Sequence, residues 1–162
     1  MVFEMTLFSL RSIAERHSVS ELERLFVISE SDDGIPCAWD QLQFESWYIF
    51  SHPSLPVTKI TCDNEDIILV VLGDVFGLTM GVHPGSELRS KLESVSTFGE
   101  LELALHTAGG RYVCVASIKR DKRIYLDAGG MLSLVFSAIS RSVASNQFLI
   151  PRHEGIKPGS VV

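Results

Sequence analysis

Three cysteines, five histidines and a surplus of carboxylates are the side chains of this 162-residue chain that could do chemistry. A reactive thiol needs a base or a positive neighbourhood to hold its thiolate. Cys37, Cys62 and Cys114 are an odd number without paired spacing, and no C-x-x-C unit occurs. Cys62 falls in a turn, Thr61-Cys62-Asp63, where it could be exposed, but Asp63, Glu65 and Asp66 would raise its pKa. Cys114 sits inside an apolar run and reads as a small buried hydrophobe. His17, His52, His83, His106 and His153 are scattered without metal-ligand spacing, so no metal site is expected. A G-x-S-x-G nucleophile elbow and a P-loop are both absent, and no cofactor is expected.

The elements that would position such groups are read from periodicity. The run Ile67-Ile68-Leu69-Val70-Val71-Leu72 predicts a fully buried strand, leading into Gly73-Asp74-Val75-Phe76-Gly77. After His83-Pro84-Gly85, Ser86 is an N-cap candidate for a helix with Leu88, Leu92 and Val95 on one face. Thr97 and Glu100 have capping-box spacing for a second helix, with a Leu101, Leu105, Ala108 stripe and a left-handed stop at Gly109-Gly110. Strands are predicted over 24–29, 44–50, 57–62, 111–118, 123–126, 131–137 and 143–150. The first residues are ambiguous, with a strand over 2–10 and a short helix over 10–16, and a polar turn follows at 30–34. Strands, then two helices, then strands again predict sheets covered by helices, not a regular βαβ alternation.

Composition bounds the partners. A 46% hydrophobic chain of this length can bury one core, read as one domain over 1–150 with a Pro- and Gly-containing exit segment or linker over 151–162. A net charge of −6, a pI near 5.3 and no window read as a Lys/Arg cluster argue against nucleic acid. The longest apolar run is too short to span a bilayer and no basic leader precedes an apolar segment, so no membrane partner and a cytoplasmic location are expected.

The order of motifs over residues 67–150 resembles the class II, N-terminal-nucleophile glutamine amidotransferase domain of the asparagine synthetase family. Where that family has a buried strand running into N-G-E-I-Y-N, this chain has Leu72-Gly73-Asp74-Val75-Phe76-Gly77. The family's helix pair around an acidic motif is matched by Ser86-Glu87-Leu88 and Phe98-Gly99-Glu100-Leu101, and its G-x-F-A-F strand by Gly110-Arg111-Tyr112-Val113-Cys114. The R-D-x-x-G turn and A-S-E are echoed by Leu126-Asp127-Ala128-Gly129-Gly130 and Ala144-Ser145-Asn146.

The resemblance implies an α+β fold, the αββα four-layer sandwich with two mainly antiparallel sheets covered by helices. It also implies glutamine hydrolysis by an N-terminal Cys whose own α-amine is the base, with strand-end donors on the oxyanion. This chain is expected to lack that chemistry. It begins Met1-Val2-Phe3-Glu4-Met5, and Cys37 is too far along for methionine removal to free its α-amine. The oxyanion-hole Asn matches Leu72, although Gly73 is expected to keep the backbone N–H of the other half. The substrate-binding Asp falls near Gly85, the motif Arg at Leu126, and the Glu of A-S-E at Asn146.

What remains is a vestigial ligand pocket at Gly73, Asp74, Glu87, Asp127, Gly130 and Ser145. The expected function is a catalytically inactive amidotransferase-like domain, structural or ligand-binding, partnered by a synthetase domain in cis or in trans. Gly155-Ile156-Lys157-Pro158-Gly159 resembles the family's exit toward that domain. The S-G-G-x-D-S pyrophosphate loop of a synthetase half is not in the chain. The alternatives are a glutamine or amide hydrolase with an unrecognised nucleophile and a small-molecule sensor using the pocket. A homo-oligomer is an alternative assembly.

Overall fold

The structure, a computed structural model, describes residues 23–31, 38–62, 64, 66–78, 87–138, 140–150 and the backbone of 157–158. The expectations for 2–22, Cys37, Asp63, Glu65, His83-Pro84-Gly85, Ser86, the far side of the 30–34 turn and most of 151–162 lie outside the described residues.

In chain order the strands are β1 (Phe26–Ser29), β2 (Asp40–Phe44), β3 (Trp47–Ser51), β4 (Val57–Thr61) and β5 (Ile67–Val75). The helices α1 (Glu87–Glu93) and α2 (Phe98–His106) follow. After them come β6 (Gly110–Ile118), β7 (Asp121–Leu126), β8 (Val135–Ser137), β9 (Ser142–Ala144), a 3-10 helix (Gln147–Leu149) and β10 (Lys157–Pro158). The class is α+β with two antiparallel sheets and two α-helices among the described residues. No helix among them is long and apolar enough to cross a membrane. The chain forms two compact units, residues 1–55 with 133–162, and residues 56–132.

The unit over 56–132 holds the four-stranded sheet β4-β5-β6-β7. Its central strands alternate between two buried faces, which is why they read as continuous apolar runs. On one face Ile67, Leu69, Val71 and Val75 meet Tyr112, Cys114 and Ala116, and Leu92, Leu101, Ala104 and Leu105 of the helices close over them. On the other, Val70, Leu72, Val113 and Val115 are also fully buried. Each such side chain contributes about 1.5–3 kcal/mol relative to exposure.

The capping box forms as spaced: Thr97 Oγ1 accepts from the Glu100 amide at 3.3 Å and Glu100 Oε2 accepts from the Thr97 amide at 3.2 Å. The expected glycine stop does not form. Thr107 ends α2 in a right-handed conformation, its amide turned back to Ala104 O, and Gly110 belongs to β6 at φ +142°. That conformation matters because a Cβ there would run into the carbonyl oxygen of Asp74 across the β5–β6 pair.

The other unit holds the sheet β10-β8-β9-β1-β3-β2. β1 is central because Phe26, Val27 and Ile28 are all buried and can be flanked on both sides. The strand expected over 44–50 is a hairpin instead. Phe44 pairs with Trp47 across a two-residue turn in which Glu45 takes φ +54°, and the two rings stack at 6.4 Å. The strand expected over 143–150 ends at Ala144, because Asn146 accepts the Phe148 amide at 3.3 Å and turns the chain into the 3-10 helix. The strand expected over 131–137 begins only at Val135.

Candidate functional site

Strand register brings Gly73, Asp74, Asp127 and Gly130 to one end of the β4–β7 sheet. Gly73 opposes Tyr112 and Asp74 opposes Arg111, so the end of β5 abuts the start of β6. Asp127 follows β7 directly and locks onto the same strand, its amide donating to Tyr112 O at 3.1 Å. Asp127 is 5% exposed, and its carboxylate accepts the amides of Gly129 at 3.0 Å, Met131 at 3.1 Å and Tyr112 at 3.4 Å. Gly130, at φ +57°, closes the turn with its amide on Asp127 O at 2.9 Å. The D-x-x-G segment is thus a turn pinned to β6, its carboxylate serving backbone amides of the turn and of Tyr112.

The oxyanion position departs from expectation. The Gly73 N–H donates to Pro56 O at 2.8 Å, extending the β4–β5 ladder beyond the Val57–Leu72 pair. One backbone N–H is one donor, so this bond takes up the group that was expected to face a ligand. Leu72, which the resemblance set at the place of an Asn, is fully buried and carries no side-chain donor. Gly73 takes φ +105°, and a Cβ there would strike the carbonyl oxygen of Arg111, so the glycine is required by the close approach of β6.

Glu87 and Ser145 are held by other partners. Glu87 is solvent-exposed on α1 and ion-paired to Lys91 at 2.7 Å, and the Lys91 hydrogen bond and charge hold its carboxyl below the usual value. Ser145 belongs to the other unit, where its buried Oγ accepts the Phe26 amide at 2.9 Å and donates to Phe26 O at 3.2 Å. Leu126 pairs with Val113 in the sheet and supplies no cation.

The thiols are corrected as well. Cys62 is 6% exposed, not presented on a turn, and its Sγ donates to Leu92 O at 3.4 Å. Cys114 is fully buried, and burial, with Cys62 second, pushes its thiol up to about 12. Neither is disulfide-bonded. No group of three or more His, Cys, Asp or Glu among the described residues is placed to hold a metal.

One pairing was not anticipated in the sequence. Ser54 Oγ lies 2.7 Å from His52 Nδ1, and Trp39 packs edge-on against the imidazole. The same Nδ1 accepts the Ser54 amide at 3.1 Å, and Ser54 Oγ accepts the Arg24 amide at 3.0 Å. These bonds divide the nitrogen's single lone pair and tie down the hydroxyl, so the pair closes a Pro-flanked turn. A shallow groove of about 370 Å³ runs between α1 and α2, lined by Lys91, Ser94, Val95, Glu100, Leu103 and Ala104, and contains none of the six expected pocket residues.

Compared with known protein families, with curated proteins and with solved structures, the chain matches none.

Proposed function

We propose that the chain is a non-catalytic glutamine amidotransferase-like domain that serves as a structural or ligand-binding partner of an asparagine-synthetase-like protein in the cytoplasm. The observation that carries this reading is the Gly73 N–H on Pro56 O beside a buried Leu72. Stabilising a tetrahedral oxyanion needs donors aimed at the site where charge develops. At this strand end the backbone donor is spent in the sheet and the side-chain donor is replaced by a hydrocarbon. The Asp127 carboxylate, bonded to three amides, is likewise committed to its own turn and to β6.

The finer architecture we propose is the αββα sandwich. Its support is the presence of two antiparallel sheets, with α1 and α2 packed on one face of the four-stranded one.

Incubation with glutamine, followed by assay of glutamate and ammonia, tests the reading. No release above the protein-free control is expected. Release that scales with protein and disappears in Cys62→Ala would establish the alternative, an amide hydrolase with its own nucleophile.

A further inference from the structure

Among the described residues the sheet edges are β10 and β2 in one sheet and β4 and β7 in the other. All but β2 carry features that discourage another strand from pairing there. β10 is two residues long and ends in Pro158, β4 follows Pro56 and has the exposed Lys59 at its centre, and β7 carries Lys122 and Arg123. β2, which reads Asp40-Gln41-Leu42-Gln43-Phe44, has no cation, no proline and no bulge, and its single charge lies at its first residue. Register shows which of its backbone groups face outward. The His52 amide donates to Leu25 O, and Phe50 and Tyr48 oppose Val27 and Ser29, so the even-numbered residues of β3 turn their N–H and C=O toward β1. The odd-numbered Trp47, Ile49 and Ser51 therefore bond to Phe44, Leu42 and Asp40 of β2. Gln41 and Gln43, both exposed, are left with N–H and C=O aimed at the open edge, and no described strand takes them.

We propose that β2 is a homodimer interface, pairing antiparallel with β2 of a second copy about a two-fold axis at Leu42. A two-fold interface must be self-complementary, and Gln41-Leu42-Gln43 reads the same in both directions. About that axis Gln41 opposes Gln43 of the second copy, and each such pair exchanges both of its backbone hydrogen bonds. The glutamine side chains share one face of the ladder, where each amide brings both a donor and an acceptor. On the other face the half-buried Leu42 meets its equivalent in the closer, non-hydrogen-bonded pairing. Asp40 falls opposite Phe44 of the second copy, so on a chain of net charge −6 the axis sets no like charges in register along β2. A ladder of five residues buries less than a standard interface, so the dimer is weak and depends on concentration.

The test is sedimentation velocity of the whole chain over a wide range of concentration, with amide exchange read at Gln41 and Gln43. A reversible monomer–dimer equilibrium is expected, with both amides gaining protection as the dimer fills. The double variant Gln41→Lys with Gln43→Lys opposes like charges only in the dimer. It should dimerise roughly five-fold or more weakly at an unchanged melting temperature. Mixing it with the double variant Gln41→Glu with Gln43→Glu should restore a dimer, since each introduced cation then faces a carboxylate. If the lysine pair fails to fold, the glutamate pair, which opposes carboxylates in the same way, carries the comparison with the parent. A parent that is monomeric throughout overturns the proposal: protected amides would then assign the edge to another segment of this chain, and freely exchanging ones would leave it to a strand of a different protein. A dimer as tight in the charged variants, or a mixture that stays monomeric, overturns the pairing through β2.

Discussion

The amide of Gly73 donates to the carbonyl of Pro56 at 2.8 Å, at the far end of β5 beside the fully buried Leu72. The bond and the left-handed φ of Gly73 belong together, since this conformation lets β5 run past β6 without a side chain between them. Gly73→Ala should therefore destabilise by about 2–4 kcal/mol, from backbone strain plus the clash with Arg111 O. Gly130→Ala meets nothing within 4 Å and should lose only about 1 kcal/mol, the left-handed penalty alone. Urea denaturation of both variants checks the difference; equal losses would show that the Arg111 contact carries no weight.

Asp127 is a structural carboxylate by its bonds, and substitution should show it. Asp127→Ala leaves the amides of Gly129, Met131 and Tyr112 without that acceptor and should lower stability by about 2–4 kcal/mol. Asp127→Asn keeps one acceptor oxygen and should lose about half as much. Chemical denaturation followed by circular dichroism measures both. An Asp127→Asn protein as stable as the parent would contradict the role.

The α2 cap gives a pH-dependent prediction. Ser96, by side chain and backbone, holds the Glu100 carboxyl below its ordinary value of 4.5, with Thr97 adding to it. A folded-state pKa below the unfolded one means that the unfolded chain binds more protons in the interval between them. The stabilisation is thus fully present above 4.5 and fades as the pH falls through the lowered folded value. Stability measured between about pH 3 and pH 7 should fall on the acid side less steeply in Glu100→Gln than in the parent. Thr97→Ala should lose about 1 kcal/mol at neutral pH.

The described thiols should be inert in the native state. Cys114 is fully buried with its thiol pushed up to about 12, and Cys62 is enclosed with its Sγ on Leu92 O. Alkylation with iodoacetamide under native conditions, read by peptide mass spectrometry, should leave Cys62 and Cys114 unmodified until denaturant is added. Rapid native modification of Cys62 would reopen the hydrolase reading.

Where a single local pattern settles the structure, the sequence showed it. The β5 run and the Thr97/Glu100 box are local facts, and both form, although the strand runs on to Val75 and the helix ends at His106 before its expected glycine stop. The failures came where a polar side chain competes with the ladder. Asn146 ends a run that alternates well enough to be a strand, and a tight turn at Glu45 and Ser46 divides an aromatic run that hydropathy alone joins. The exposure expected for Cys62 failed for a different reason: burial is decided by α1, whose Leu92 carbonyl meets the thiol from thirty residues away. Of the six residues expected to line a pocket, the meeting of Gly73, Asp74, Asp127 and Gly130 at one sheet end was legible because register follows from β5, β6 and β7. The fate of the Gly73 N–H was not, since its acceptor, Pro56 O, precedes the first residue of β4 and carries no sequence mark.

The most direct measurement is amide hydrogen exchange at Gly73, followed by NMR in the absence and presence of millimolar glutamine. An amide bonded to Pro56 O should exchange slowly and should not shift with glutamine. Fast exchange, or a saturable glutamine-dependent shift at Gly73, would show a donor still facing a ligand and would contradict the non-catalytic reading.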